Sequence, residues 1–262
     1  MTGKGVSKMD NIYRIYFKTS ENMKEVKDDT IKTVITSPPY WDLKNYLTEG
    51  QIGFNETYEE YLKRLETVWK ECYRILKTDG SVWININYRF YQKKLYLIPY
   101  DIIKSMQNIG FIYKGSFMWH KPSGIPSSPK NLSNHFEYVL VFVKDKEAFQ
   151  FNDKDLWKDD YGLLKEGEIA NSWRIVKKAG NIGKTPHPAI YPNELVERIV
   201  RITSEEGDYI LDPFLGSGTT LIASRKLNRS CIGYELNDKE YKELIVHRIG
   251  SKKLFEREIR LF

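Results

Sequence analysis

Two short stretches of this chain hold residues that could do chemistry together. In the first, Thr36-Ser37-Pro38-Pro39-Tyr40 is followed at once by Trp41 and closes the run Ile31-Lys32-Thr33-Val34-Ile35. That run has the length and β-branched content of a short buried strand, so the prolines fall where the strand hands over to its loop. Consecutive prolines fix φ and remove two backbone donors. What remains is a rigid corner that presents carbonyl oxygens, a hydroxyl and a flat ring. Such a corner suits an amino group held under an aromatic ring; a strand-ending turn with a packed tyrosine is the alternative.

The second stretch, Tyr209-Ile210-Leu211-Asp212-Pro213-Phe214-Leu215-Gly216-Ser217-Gly218-Thr219-Thr220, reads as a strand, a glycine-rich turn and the start of a helix. Gly216 and Gly218 let a ligand approach the backbone, and free amides lie beyond them at the helix N-terminus. A following strand, Ser230 to Tyr234, ends in Glu235. An acid at that strand tip, about twenty residues past the glycines, stands where a nucleoside ribose would present its hydroxyls. Asp212 adds a charge suited to a cationic amino-acid moiety. No lysine follows the glycines, so this is not a phosphate loop, and Leu221 replaces the third glycine of a dinucleotide fingerprint, which makes NAD the weaker ligand. A tight strand-to-helix turn with a surface glutamate would explain this stretch taken alone.

The elements that must position these residues follow a strand-helix-strand rhythm. Ile12 to Phe17 reads as a strand, with a helix opening near Thr19 or Ser20 and running towards Val26. Thr57-Tyr58-Glu59-Glu60 opens a long amphipathic helix through Leu76, its apolar positions Tyr61, Leu62, Leu65, Val68, Trp69, Cys72, Ile75 and Leu76 at helical spacing. Thr78-Asp79-Gly80 is expected to end it and Ser81 to Ile86 to follow as a strand. A helix over Pro99 to Ile109 stops at Gly110, and strands are expected over Phe111 to Trp119 and Glu137 to Val143. From Lys144 to about Gly183 the periodicity fades, as in an inserted excursion. Pro188 to Thr203 returns to an amphipathic helix. Trp41 is expected in the core.

The chain has 262 residues, 41% of them hydrophobic and 14% aromatic, ample for a core. No window of eighteen apolar residues occurs and no apolar stretch follows the first charges, so neither a membrane span nor a signal peptide is expected and the protein is placed in the cytoplasm. Cys72 and Cys231 are far apart in apolar settings and are expected as two buried thiols. Forty-one Lys and Arg against thirty-five Asp and Glu leave a net charge of +6, compatible with a polyanion. Two stretches concentrate cations without acids: Lys121 to Asn134, with Lys121 and Lys130, and Asn171 to Tyr191, with Arg174, Lys177, Lys178 and Lys184. Solvated faces or a groove for a phosphate backbone both fit them.

Taken together, the Ser-Pro-Pro-Tyr corner and the Asp-Pro-Phe-Leu-Gly-Ser-Gly-Thr-Thr turn resemble the S-adenosylmethionine-dependent amino-methyltransferases of DNA. The order is the permuted one, with the catalytic motif before the cofactor motif. The likeness extends to Arg74 through Ser81, Glu137 through Phe142 and His187 through Pro192. It implies an α/β, Rossmann-like fold with a seven-stranded, mostly parallel sheet flanked by helices and a small irregular recognition insertion. The catalytic half would span 1–143, the target-recognition excursion 144–183 and the cofactor half 184–262. Ser37, Pro38, Pro39 and Tyr40 would be catalytic. Asp212, Pro213, Phe214, Gly216, Gly218, Thr219 and Glu235 would hold S-adenosyl-L-methionine, and the six cations just named would meet duplex DNA, with no metal involved. A cognate restriction endonuclease joins the expected partners. One departure stands out: many relatives carry Gly-Asp after the first strand, where the acid meets the adenine, and here Lys18-Thr19 occupies that place.

An exocyclic amine is a poor nucleophile because its lone pair is delocalised into the ring. Hydrogen bonds accepted from it by Ser37 and the Pro38 carbonyl would favour a pyramidal nitrogen, with Tyr40 stacking on the extruded base. A neutral serine before Pro-Pro-Tyr points to cytosine N4. Adenine N6 is the rival, and a nucleotide- or RNA-binding protein the more distant one. Carbon-5 methylation is disfavoured, since neither cysteine follows a proline.

Overall fold

The computed structural model describes residues 11–46, 48–122, 134–152, 170–176, 191–249 and 259–261. Among these, β1 (Tyr13–Tyr16) and β2 (Ile31–Thr36) precede α1 (Tyr58–Ile75) and β3 (Leu76–Ile86). The short β4 (Arg89–Tyr91) and β5 (Lys94–Tyr96) lead to α2 (Ile98–Ile109), β6 (Ile112–His120), β7 (Phe136–Val143) and β8 (Ser172–Arg174). The last part comprises α3 (Asn193–Thr203), β9 (Tyr209–Asp212), α4 (Thr219–Lys226), β10 (Ser230–Tyr234), α5 (Asp238–Ile249) and β11 (Ile259–Leu261).

The strands form one nine-stranded sheet in the order β11-β1-β10-β9-β2-β3-β7-β6-β8, with β4 and β5 as a separate hairpin. All neighbours are parallel except that β7 runs antiparallel to β3 and β6. The expected seven strands are the central ones, and the three-residue strands β11 and β8 extend the edges. Side chains alternate between two buried faces, as a sheet covered on both sides requires. Val34, Val82, Ile84, Leu140 and Leu211 pack with α1 and α2, whereas Ile35, Trp83, Val139, Val141 and Ile210 pack with α3. Thr57 caps α1 in a reciprocal pair with Glu60, and Gly110 ends α2 at φ 118°. Along the apolar stripe of α1, Tyr61, Leu65, Val68, Trp69, Cys72 and Ile75 are buried and Leu62 is half-buried, each large buried side chain contributing about 1.5–3 kcal/mol. Trp41 lies in the core, and Cys72 and Cys231 are buried free thiols. No described helix is long and apolar enough to cross a membrane.

The segment Thr19–Val26 is a series of turns rather than the expected helix. Its backbone is claimed from outside: Met23 N–H donates to Glu71, and Arg74 donates to the Met23 and Val26 carbonyls. Those bonds, with Met23 and Val26 buried, outweigh a short helix that would nucleate poorly. β3 starts directly at Leu76 instead of Ser81, because Leu76 already pairs with Ile31 and Lys32 ties Asp79 to the neighbouring strand. The helix expected from Pro188 starts at Asn193, behind Pro192. The described ends of the 144–183 excursion are part of the body. β8 lies parallel to β6, and Trp173 stacks on Trp83 at 6.4 Å, with Phe151 at the same indole.

Candidate active site

β9 and β2 are adjacent, with Thr33 opposite Ile210 and Val34 opposite Leu211. The glycine turn and the proline corner therefore leave the same edge of the sheet side by side, where the strand order reverses direction. A hydrogen bond of 2.8 Å from Thr36 Oγ1 to Asp212 Oδ1 joins residues 176 positions apart. Asp212 also accepts from Phe214 N–H, from Tyr191 Oη at 2.9 Å and from Thr220 Oγ1 at 2.6 Å. Complete burial lifts its pKa, with these hydrogen bonds acting in the opposite sense. Asp212 is thus a knot behind the site, and its carboxylate does not face the cleft.

On the cofactor side, Gly216 has φ 51° and Gly218 has φ 80°, the left-handed region that side chains adopt only under strain. A Cβ on Gly218 would also stand 3.1 Å from Ile245 Cγ1. Glu235 Oε2 accepts from Gly216 N–H and Oε1 from Asn237 N–H, both at 2.8 Å. Burial pushes the Glu235 carboxyl up to about 7 despite those bonds. From α5, Arg248 donates to the Ser217 carbonyl and hydroxyl and to Thr219 Oγ1, fixing the turn from below. Where Lys18-Thr19 replaces the acid of other sequences, the buried Ser20 hydroxyl has no partner among the described residues and lines the same cleft. That orphaned group, the open glycine turn and the Glu235 carboxylate are a donor and acceptor set suited to an adenosyl ligand.

On the corner side, Tyr61 Oη donates to the Pro39 carbonyl at 2.9 Å. Tyr40 Oη points to Glu137 Oε2 at 3.3 Å, which also accepts from Asn85 Nδ2 at 2.7 Å, while Lys121 Nζ pairs with Oε1 at 2.8 Å. Burial, and then the Glu137 charge, raise the Tyr40 phenol well above its ordinary value, so it stays a donor. The Ser37 hydroxyl lines the cleft and has no hydrogen-bond partner among the described residues. Asn85 Oδ1 is likewise buried without one.

The cleft between the two motifs encloses about 930 Å³ with its open mouth included. Ser37, Pro38, Pro39 and Tyr40 line one wall, and Pro213, Phe214, Gly216, Thr219 and Glu235 the other. Gly218 and Asp212 stand behind. Of the six expected DNA cations, Lys121 is engaged with Glu137 beneath the corner, and Arg174 is exposed on the edge strand β8. Lys130, Lys177, Lys178 and Lys184 lie outside the described residues. Asn85, Glu137, Tyr191, Ser20 and Arg248 are site residues that spacing does not reveal. Glu137 alone had a local signal, a lone acid opening the apolar strand Tyr138 to Val143.

The model of a DNA methylase family matches residues 31–247. The chain belongs to that DNA methylase family. The type II methyltransferase M.MthZI of Methanothermobacter thermautotrophicus is 32% identical over 96% of this methylase and 80% of its own length. TTHA0409 of Thermus thermophilus, solved with S-adenosyl-L-methionine, is 28% identical, superposes with a TM-score of 0.67 and covers 96% of the methylase and all of its own chain. The cytosine-N4-specific PvuII DNA methyltransferase superposes with a TM-score of 0.75 at 22% identity over 93% of the methylase and 88% of that chain, a likeness of fold. S-adenosyl-L-methionine is the methyl donor of this family, and the cleft of the methylase has the groups to hold it.

Proposed function

We propose that this DNA methylase transfers the methyl group to cytosine N4 in a specific short sequence of duplex DNA, with the target base extruded into the cleft. The observation that carries the reading is the Thr36–Asp212 hydrogen bond, which sets an uncharged Ser37 hydroxyl beside the glycine turn. The bound cofactor supplies an electrophilic methyl on a sulfonium. Glu235 would accept from the ribose hydroxyls, and the Ser217 and Thr219 amides and the Ser20 hydroxyl would receive the rest of the ligand. On the other wall, Ser37 Oγ and the Pro38 carbonyl accept the two amine hydrogens, which turns the nitrogen lone pair out of the ring towards the methyl group. Transfer would form the N–C bond as the S–C bond of the donor breaks, and the amine's extra proton would leave to solvent. Tyr40 stacks on the base, its ring held by the bond to Glu137.

Ser37 supports cytosine because its neutral hydroxyl can accept from the cytosine amine and the resemblance implies that adenine-modifying members mostly carry a carboxylate at this position. The type II relatives support a role in a restriction-modification system, with a cognate endonuclease as the partner that the methylation protects against. Mass spectrometry of nucleosides from DNA incubated with the enzyme and cofactor tests the reading. N4-methylcytosine is the expected product; N6-methyladenine alone would refute the base assignment and leave the family standing.

A further inference from the structure

Between β3 and α2 the chain could turn in a few residues, yet it builds the hairpin β4–β5 outside the main sheet. Isolated two-stranded hairpins are marginal, and this one is fastened by a single face. Tyr91 and Tyr96 pack on Trp41 at ring distances of 5.0 and 4.6 Å, and the Arg89 guanidinium donates to the Trp41 carbonyl. Trp41 follows Tyr40 directly, so the hairpin is bolted to the catalytic corner. It also rises from the same sheet edge, since Ile84 near the end of β3 pairs with Thr36.

On the opposite face, the edge-on contact of Phe90 with Tyr88 at 5.9 Å leaves most of the apolar surface open. Phe90 and Leu95 are cross-strand partners and are 67% and 48% exposed. Gln92 and Lys93 both have positive φ, 48° and 66°, a tight turn built without glycine. Lys93 in the turn and the neighbouring Lys94 are exposed beside the apolar pair, and no acid occurs from Tyr88 through Tyr100. An exposed aromatic at the tip of a hairpin with two exposed lysines beside it fits a partner that offers stacking surfaces and phosphates at once, which is nucleic acid.

We propose that this hairpin is the finger that opens the duplex: Phe90, backed by Leu95, enters the base stack at the place vacated by the extruded nucleotide, while Lys93 and Lys94 hold the flanking phosphates. The proposal rests on the base-extrusion reading above and adds to it the surface that drives extrusion.

Sequencing of modified positions supplies the target for two synthetic duplexes, one fully paired and one with a mismatch opposite the target base. Phe90→Ala should lower kcat/KM on the paired duplex about tenfold and recover to within about threefold of wild type on the mismatch, where extrusion is cheap. Phe90→Trp should retain activity on both. Lys93→Glu with Lys94→Glu should weaken duplex binding and reduce the salt slope by about two. Equal loss of activity on both duplexes, or none on either, overturns the wedge. So does a Phe90→Ala, Leu95→Ser double variant that converts a dimer to a monomer in sedimentation without changing duplex methylation, since the face would then join two copies. Failure of the underlying reading has its own signature: wild-type enzyme that methylates single strands but leaves the paired duplex unmodified does not extrude bases at all.

Discussion

Ser37 and Tyr40 are exposed to the cleft for opposite reasons: the serine hydroxyl has no described partner, while the tyrosine hydroxyl is held by Glu137. Ser37→Ala and Tyr40→Ala should each lower kcat about a hundredfold. Cofactor affinity, measured by calorimetry, should stay within about twofold, because neither residue belongs to the glycine turn. Full turnover in both variants would make the corner structural. Glu235 carries a pH dependence. Its carboxyl, raised to about 7 by burial, would in the proposed site accept from the ribose hydroxyls only when ionised, so that cofactor binding would release a proton. Affinity should rise from pH 6 to 8, by at most about tenfold per unit below 7, and level off above it. Glu235→Gln should bind more weakly and with a flat profile; a flat wild-type profile would remove Glu235 from the ribose.

Among the elements, the joint between β2 and β9 matters most. Asp212→Ala would leave the Thr36 hydroxyl unanswered in the core and Tyr191 and Thr220 with only their bond to each other. A loss of about 3 kcal/mol in urea unfolding is expected; a loss under about 1 kcal/mol would show that water can enter and replace the carboxylate. The two glycines of the turn should separate in the same assay. At Gly218 a methyl meets Ile245 as well as the left-handed backbone, and Gly218→Ala should cost about 1–3 kcal/mol. At Gly216 the nearest foreign atom to an added Cβ is 4.0 Å away, so Gly216→Ala costs about 1–2 kcal/mol from the backbone alone. Its larger consequence should be weaker cofactor binding, because that Cβ would occupy the space of the ligand.

For the molecule as a whole, a net charge of +6 and a cleft at one edge of the sheet mean that DNA is held first by its phosphates. Affinity should then fall linearly with the logarithm of salt. Reversing Lys177 and Lys178 to glutamate should weaken binding to all duplexes alike, read by anisotropy on labelled DNA of unrelated sequences. An unchanged salt slope would take both residues out of the interface. Lys121, by contrast, is spent within the protein: its pairing with Glu137 sets the carboxylate that holds Tyr40, so its removal should act on kcat more than on DNA affinity.

Both motifs, the strands that end in them and the buried stripe of α1 were legible in the residues, because strand and helix periods and the conformational limits of proline and glycine are local properties. The run Ile31 to Thr36, the capping pair Thr57 and Glu60 and the stop at Gly110 all follow from neighbours in the chain. Segments whose backbone bonds are taken by distant groups were not legible, as at Met23, where Glu71 and Arg74 replace the expected helix. Nor was the setting of Asp212, whose carboxylate ties Thr36, Tyr191 and Thr220 together in the core. The Glu137, Asn85 and Tyr40 cluster and the β4–β5 hairpin escaped for the same reason. Their partners are chosen by sheet order and by which faces must be buried, and a contact across 176 residues leaves no periodic trace along the chain. Composition and spacing determined which chemistry the two strand ends could perform; only the packing of β2 beside β9 brought the halves within reach of each other.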